Sequence, residues 1–391
     1  MPEMDLSLTQ RGLVTNAHYL RETHMRLRAL KHGTATQLII NLLGDSFVTG
    51  DFWTPVFAKA LHTVFGLAGV GWVGFGFYGT GSAPPYTTGG TQPNFGGTPT
   101  VDGNARPDLV PKPTFDGSWT STYNSPGSNL PSISYARSST AGDRARFDFP
   151  AGHTSSTVFY YKQTTAGSFR YSWDGGSTWA GTITYDNSSN NSASDALVGT
   201  IAGAGTLLFE VVSGQVNLGG VEMKSTASGV RINKLGVSGG ATNNFATAAG
   251  AANWRTRFAV LGAHLNIAGW QTNDQGGAFA PDGAYTTNLT TIATNLRVIA
   301  PYSDLLLTAP PENQRPANAY PMSGYTAATR ALARTQKAAF LDHQPNFGEL
   351  PADYAWANAS RQWYASDLIH PVTATGGAAM ANAMLEAVMP R

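Results

Sequence analysis

An apolar run in the chain stops abruptly where glycine, aspartate and serine occupy positions 44–46. The run from Leu38 to Leu43 is short and rich in branched apolar residues, as in a strand that is covered on both faces. Five apolar residues then recur at helical spacing: Phe52, Val56, Ala60, Leu61 and Val64. Because Gly66 is suited to ending a helix, the pattern predicts a central parallel strand, a tight turn and a helix.

Ser46 lies in this predicted turn. In open α/β sheets, ligands bind in the crevice at the carboxyl ends of the strands, so Ser46 is well placed for chemistry. A Gly-Asp-Ser triplet is also an ordinary turn, in which Asp45 or Ser46 would simply cap the helix. The triplet alone favours the capping role, and the chemical role needs the other parts of a site.

A different pattern occupies residues 82–228. Proline, glycine, serine and threonine dominate at first, and short alternating runs typical of strands follow. Asp174, Gly175 and Gly176 predict a hairpin turn, because glycine tolerates the positive φ that tight turns need. This region is predicted to be an antiparallel β-sandwich inserted into another domain.

Six aromatic residues of the insert have two alternative roles: Trp119, Tyr160, Tyr161, Tyr171, Trp173 and Trp179. They would either stack on sugar rings or fill the core of the sandwich. Core packing is the commoner role for such residues, so the sugar-binding role remains the less favoured alternative.

The remainder of the chain predicts α/β structure. After residue 229, strand-like and helical segments alternate, which indicates βαβ units and a parallel sheet. A helix is predicted over residues 10–31, as an arm or packed on the domain. We therefore divide the chain into an N-terminal arm or helix, a first part of the α/β domain, the insert and a second part of the α/β domain: residues 1–35, 36–81, 82–228 and 229–391.

Composition narrows the classes of partner. Charged residues make up 13% of the 391 residues, and the formal net charge is +1. Typical globular proteins have about 25% charged residues. Lysine and arginine are not clustered with aromatic residues, so the sequence predicts no nucleic-acid partner.

The sequence also limits redox chemistry and membrane association. Cysteine is absent, which excludes disulfides, thiolate metal sites and a cysteine nucleophile. The N-terminal segment lacks the apolar core of a signal peptide, and no run is long enough to span a bilayer. We expect a soluble chain, while the compartment and a homo-oligomeric state stay open.

A serine nucleophile needs a base, and histidine serves best when a carboxylate orients it. Of the eight histidines, six are expected to be surface or packing residues, and two have an aspartate nearby, His343 and His370. His343 directly follows Asp342, so the two side chains would diverge, and we expect a surface position. Asp367 and His370 are three positions apart and can share one side of a turn; alternatively, Asp367 only caps the turn and His370 is exposed.

An esterase must also stabilise an oxyanion. Gly239 and Gly240 lie where a strand is predicted to end, and glycine lets backbone amides approach a ligand. Asn273 follows another predicted strand and offers a neutral amide. Each loop alone is ordinary, but together they place Ser, Gly, Asn and His at successive strand ends.

This ordered set resembles the SGNH, or GDSL-type, hydrolase family. The matching blocks are Gly44-Asp45-Ser46, the Gly-Val-Ser-Gly stretch ending at Gly239, Thr272-Asn273-Asp274, and Asp367 to His370. The resemblance covers residues 36–80 and 230–391 but not the insert. In the third block Gln271 occupies the position where the family usually has glycine, and Gly269 lies two residues earlier.

The resemblance implies a three-layer αβα fold with a parallel sheet, and hydrolysis of esters without a metal or a cofactor. It assigns Ser46 as the nucleophile, His370 as general base and then acid, and Asp367 as the residue that orients His370. The amides of Ser46 and Gly239 and the side chain of Asn273 would form the oxyanion hole.

The substrate is less defined than the reaction. The neutral insert looks similar to modules that accompany carbohydrate esterases and phage tail proteins, so we expect removal of acetyl groups from a polysaccharide. A general short-chain lipase or esterase is the alternative enzyme, with the sandwich as a structural or oligomerisation element. A noncatalytic glycan-binding phage tail or adhesion protein is the alternative outside enzymes, and an extracellular or virion-associated location fits these hypotheses.

Overall fold

The fold is a mixed α/β domain interrupted by an antiparallel insert. The computed structural model describes residues 14–50, 52–76, 113–122, 124–163, 165–186, 192–199, 201, 203–316 and 318–390. Before the insert the chain forms β1 (Val14–Thr15), α1 (Arg21–Lys31), β2 (Gln37–Gly44), α2 (Ser46–Thr49), α3 (Thr54–Phe65) and β3 (Gly71–Gly74).

The insert contributes β4 (Thr114–Asp116), β5 (Thr120–Thr122), β6 (Tyr135–Ser138), β7 (Arg144–Phe149), β8 (Ser155–Lys162), β9 (Gly167–Ser172), β10 (Gly181–Tyr185), β11 (Ser192–Gly199), β12 (Gly205–Gly214) and β13 (Val216–Lys224). The chain then forms β14 (Gly229–Lys234), α4 (Thr242–Gly250), α5 (Ala252–Leu261), β15 (Leu265–Gly269), α6 (Gln271–Gly276), α7 (Thr286–Ile299), β16 (Asp304–Ala309), α8 (Met322–Thr335), β17 (Ala339–Asp342), α9 (Gln344–Phe347) and α10 (Ala378–Val388). Short 3₁₀ segments (Ala17–Tyr19, Pro126–Ser128, Pro351–Tyr354) and π segments (Pro281–Tyr285, Thr373–Gly377) connect them.

Six strands form the sheet of the α/β domain, in the order β1-β17-β16-β15-β2-β14. Every pair is parallel except β1 with β17. The predicted strand at residues 38–43 is β2, and it lies between β15 and β14, one position from the edge rather than at the centre. The parallel sheet predicted from the sequence is confirmed.

Both faces of this sheet are covered by helices. Leu38, Ile40 and Leu42 pack in one core cluster with side chains of α1, α3 and α10. Leu43 belongs to the other cluster, together with side chains of α4, α5, α7 and α8. Because successive side chains of a strand point to opposite faces, the continuous apolar run of β2 serves both clusters.

Two predicted helices begin later than the sequence indicated. The helix that ends at Gly66 begins at Thr54, and Phe52 lies outside it. The N-terminal helix begins at Arg21, after a short strand and a 3₁₀ turn, whereas residues 10–13 of the prediction lie outside the described residues. Within the described ranges, no helix combines the length and the apolar character needed to cross a bilayer.

The insert is built from two antiparallel sheets, β10-β9-β12-β7-β4 and β11-β8-β13-β6-β5, and β3, which precedes the predicted boundary at residue 82, also pairs antiparallel with β13. The predicted hairpin at residues 174–176 connects β9 to β10, and both of its glycines have a positive φ. Four of the six aromatic residues are buried: Trp119, Tyr160, Tyr161 and Trp173. Stacking on sugar is therefore the wrong role for these four, while Tyr171 and Trp179 are half-buried.

A buried group of charges joins the insert to the α/β domain. Glu222 of β13 has no exposed surface, and its carboxylate lies 3.3 Å from Nε of Arg231 in β14 and 3.0 Å from Nζ of Lys224. Burial raises the pKa of Glu222, and the two cations oppose that shift. The carboxylate of Glu222 and the guanidinium of Arg231 compensate each other in a buried place, while the Lys224 side chain is 26% exposed.

We expect Glu222→Gln to lower the free energy of unfolding by about 3–5 kcal/mol, because it leaves Arg231 charged, buried and without a counter-ion. Denaturation in guanidinium chloride measures this change. Glu210→Gln is the matched control, since the partners of Glu210, Arg144 and Arg170, are 43% and 37% exposed and remain solvated. An equal loss in both variants would contradict the prediction.

Candidate active site

The turn after β2 presents Ser46. Asp45 occupies the N-cap position of α2, and its Oδ1 accepts a hydrogen bond of 2.9 Å from the amide of Phe47. Ser46 is the first residue of α2 and is nearly buried. The capping role that the triplet favoured therefore belongs to Asp45, which leaves the hydroxyl of Ser46 to make another contact.

Ser46, His370 and Asp367 form one hydrogen-bonded series. Oγ of Ser46 lies 2.7 Å from Nε2 of His370, and Nδ1 of His370 lies 2.6 Å from Oδ2 of Asp367. His370 is buried rather than exposed. In this arrangement the imidazole can accept the serine proton at Nε2 while the carboxylate holds the Nδ1 proton.

Asp367 also caps its own turn. Its Oδ1 accepts hydrogen bonds from the amides of Ile369 and His370, at 2.9 and 3.0 Å. Partial burial would raise the pKa of this carboxyl, but the hydrogen bonds and charge of His370 outweigh that effect and lower it. Asp367 therefore caps the turn through Oδ1 and contacts the imidazole of His370 through Oδ2, so capping is not its sole contact.

The turn that carries the pair has a strained residue. Leu368 adopts a left-handed backbone, with φ at 65°, which is costly for a side chain of this size. Its carbonyl accepts a hydrogen bond of 2.9 Å from the amide of Gln314. A neighbouring loop therefore holds the conformation that places Asp367 beside Nδ1 of His370.

Two phenyl rings contact the imidazole. The centroid of Phe52 lies 4.9 Å from that of His370 with an interplanar angle of 16°, and that of Phe47 lies 5.7 Å away. These contacts were not predicted from the sequence, because apolar spacing assigned Phe52 to the buried face of a helix. The available signal was the closeness of both residues to Ser46 in the chain.

Of the predicted oxyanion residues, Gly239 lies on a loop joined to the serine turn, and Asn273 lies in α6 and contacts that loop. The amide of Val237 donates to the carbonyl of Gly44 at 3.0 Å, which ties the glycine loop to the end of β2. Gly239 has a φ of 74° in the turn closed by the Gly240 amide and the Val237 carbonyl, so glycine is favoured there. Nδ2 of Asn273 donates to the carbonyl of Gly240 at 3.1 Å. An amide has a second N–H, which can serve a ligand.

The neighbours of Asn273 fix its position from two sides. Asp274 is buried and accepts hydrogen bonds from the amide and the hydroxyl of Thr242, at the start of α4. Gln271, at the family's glycine position, has no left-handed backbone, and its Nε2 donates to the carbonyl of Thr308 at 2.6 Å. A long side chain is therefore accommodated in this block, where it joins a buried polar network.

A cavity of about 30 Å³ lies behind the serine turn, with Asp45, Gln271, Thr308 and His343 among its lining residues. Burial raises the pKa of Asp45 to about 7, and the nearby charge of Asp274 adds to the increase. The carboxyl of Asp45 is therefore only partly ionised near neutral pH, whereas that of Asp367, whose pKa is lowered, is ionised.

His343 is buried, so the expected surface position is wrong. It is 1% exposed, and neither ring nitrogen has a hydrogen-bond partner among the described residues. Its neighbour Asp342 points elsewhere and pairs with Arg330 at 2.8 Å. Burial lowers the pKa of His343 to about 3, so the ring is neutral at neutral pH.

Positive charge near the site comes from Arg315. Its Nη1 lies 3.4 Å from the carbonyl of Thr272, and its charge lowers the pKa of Asp45 against the effect of burial.

In the described part of the chain, no three histidine or acidic side chains are grouped so that they would hold a metal ion. The arrangement is suited to nucleophilic acyl transfer by serine.

Comparison with known proteins supports the fold. No protein-family model matches the chain, and no curated protein matches it. A structure of a peptidoglycan O-acetylesterase matches with a TM-score of 0.70 and 18% identity, over 96% of this chain and 99% of that one. A GDSL-like lipase from Parabacteroides merdae has a TM-score of 0.32, with 19% identity over 41% and 73% of the two chains.

A family two carbohydrate esterase from Clostridium thermocellum, as an active-site mutant, has a TM-score of 0.31, with 12% identity over 71% and 97% of the two chains. Of these three structures, only the peptidoglycan O-acetylesterase is similar enough to support a statement about the fold. At 18% identity, this likeness shows a shared fold.

The pKa of His343 yields a prediction about stability against pH. The unfolded chain binds a proton on this ring as the pH falls below its ordinary pKa of 6.5, whereas the folded chain excludes the proton down to a pKa of about 3. We expect the unmodified protein to lose about 2 kcal/mol more stability than His343→Leu on going from pH 7 to pH 5. Urea denaturation at both pH values measures the difference.

His18→Leu is the control, because His18 is exposed. The same pH dependence in the unmodified protein and in His343→Leu would contradict the burial of an uncharged imidazole.

Proposed function

We propose that this chain, which shares the fold of SGNH-type esterases with an inserted β-sandwich, is a serine esterase that removes O-acetyl groups from a polysaccharide. The observation that supports the reaction is the series of hydrogen bonds from Ser46 through His370 to Asp367. Such a series activates a hydroxyl that would otherwise be a weak nucleophile.

In the proposed mechanism, Oγ of Ser46 attacks the acetyl carbonyl carbon and transfers its proton to Nε2 of His370. The carbonyl electrons move to the oxygen, where the amides of Ser46 and Gly239 and Nδ2 of Asn273 would stabilise the negative charge. The intermediate collapses and expels the sugar oxygen, which takes the proton from His370. Water then attacks the acetyl-serine and gives a proton to Nε2 of His370. The second intermediate collapses, the bond from the acetyl carbon to Oγ breaks, and His370 returns the proton to Oγ of Ser46, which releases acetic acid that ionises to acetate.

Asp367 supports each proton transfer in this scheme. Because its pKa is lowered, it is ionised at neutral pH, and it can stabilise the imidazolium that forms twice per cycle. Its bond to Nδ1 keeps Nε2 free to face Ser46.

Two observations favour a polysaccharide substrate. The structural neighbour that matches over nearly the whole chain acts on peptidoglycan O-acetyl groups, according to its description. In this chain, Nδ2 of Asn124 in the insert donates to the carbonyl of Gly239 at 3.4 Å, so the sandwich reaches the proposed oxyanion hole. A polymer bound at Ser46 would therefore lie beside the insert.

The first test is hydrolysis of nitrophenyl acetate by the purified protein. We expect Ser46→Ala and His370→Ala each to lower kcat at least about 10³-fold, since either change removes the activated hydroxyl. Ser156→Ala is the matched control, because this buried sandwich serine has no hydrogen-bond partner among the described residues and lies away from the site.

The choice of substrate is tested by acetate release from acetylated polysaccharides beside nitrophenyl esters of increasing chain length. Release of acetate with little activity on long chains supports the deacetylase. A steep preference for long chains would instead indicate a general lipase. An unreactive Ser46 in folded protein that binds glycan would indicate a noncatalytic adhesion protein.

For Asp367→Asn we expect kcat to fall about 10²- to 10⁴-fold, because the amide no longer stabilises the imidazolium and permits the wrong tautomer. Steady-state kinetics and circular dichroism of the same preparations give the result. A variant that is folded and fully active would remove Asp367 from the mechanism.

A further inference from the structure

We propose that Phe52 is a positioning residue for His370, and that its ring face stabilises the imidazolium formed when Ser46 is deprotonated. This inference rests on the proposed function, because the imidazolium arises in the esterase cycle. In the sequence, Phe52 differs from an ordinary core residue only in its closeness to Ser46.

The geometry of the two rings is the first support. Their centroids are 4.9 Å apart and their planes differ by 16°, so the imidazole lies over the face of the phenyl ring. A cation within about 6 Å of a ring centroid is attracted by the negative charge on the ring face. The ring of Phe52 is buried, which keeps water from weakening this attraction.

The fixed position of the Phe52 ring is the second support. The ring packs on the bare backbone of Gly50, where a Cβ atom would collide with it. The third ring, that of Phe47, lies 6.4 Å from Phe52 and 5.7 Å from His370, so the three centroids form a compact triangle. The phenyl ring therefore needs no rearrangement when charge appears on the imidazole.

The charge appears at a defined step. As the bond from Oγ of Ser46 to the carbonyl carbon forms, the proton moves to Nε2 of His370, and the ring becomes positive. Asp367 interacts with this cation at the ring edge, through Nδ1, and Phe52 at the ring face. The attraction is stronger for the cation than for the neutral imidazole, so it lowers the barrier without strengthening substrate binding.

The test replaces Phe52 by fluorinated phenylalanines in the full chain. The series Phe52→4-fluoro-, Phe52→3,5-difluoro- and Phe52→3,4,5-trifluorophenylalanine withdraws charge from the ring face and nearly keeps its shape. We expect kcat for nitrophenyl acetate to fall stepwise, reaching about 2- to 30-fold for the trifluoro variant, while KM stays unchanged.

Phe57 is the matched control. It is buried in the same core cluster, and its ring contacts Trp53, with a centroid distance of 5.7 Å. The same fluorinated series at Phe57 is expected to leave kcat unchanged. An equal loss at both positions, or a change confined to KM, would overturn the charge-stabilising role of Phe52.

A fluorophosphonate probe separates this inference from the proposed function. The probe reacts with a serine hydroxyl that a histidine activates, whatever the natural ester is. Labelling of Ser46 that slows stepwise along the Phe52 series supports the inference. Labelling at one constant rate overturns the inference and leaves the esterase standing, whereas no labelling of Ser46 in the unmodified protein overturns both.

Discussion

The parallel register of β14, β2 and β15 is the constraint on which the candidate site depends. Gly44 at the end of β2 pairs with Gly269 at the end of β15, and the chain after β14 continues alongside β2 through the amide of Val237. Three loops therefore leave the sheet at one edge, within reach of one another. A shift of β14 by one residue would turn its side chains to the other face and move the glycine loop away from Ser46.

Charge at this edge is divided between carboxylates in different surroundings. Asp45 and Asp274 are buried, and burial raises their pKa values to about 7 and about 6. Asp367 has a lowered pKa, because its hydrogen bonds with His370 outweigh partial burial. Near neutral pH, the most firmly ionised of these three acids is the one beside the histidine. The firmest negative charge therefore lies on Asp367, where it would stabilise an imidazolium at His370.

Much of this arrangement could be predicted from the sequence, because local pattern determines it. The strand before Ser46 has the apolar run of a buried parallel strand, and the first three blocks follow the ends of β2, β14 and β15. The fourth block, Asp367 to His370, does not follow a strand end as expected, because α9 and a 3₁₀ segment lie between it and β17. The contacts of Phe52 and the burial of His343 were not predictable, since each depends on which distant segments meet around the side chain. The same limit applies to Trp119: its residue type suits stacking on sugar, but its side chain is buried in the core.

The pairing of β3 with β13 has a consequence for the order in which the chain folds. β2 and β14 are neighbours in the sheet, yet Asn41 and Asn233, which pair across them, are 192 positions apart. Closing so long a loop is slow for an unstructured chain. When the insert has folded, β3 and β13 already lie side by side, and the effective loop between β2 and β14 shrinks to residues 45–70, which hold α3, on one side and residues 225–228 on the other. The folded sandwich then shortens the loop that must close before β2 pairs with β14, which lowers the entropic cost of forming the parallel sheet.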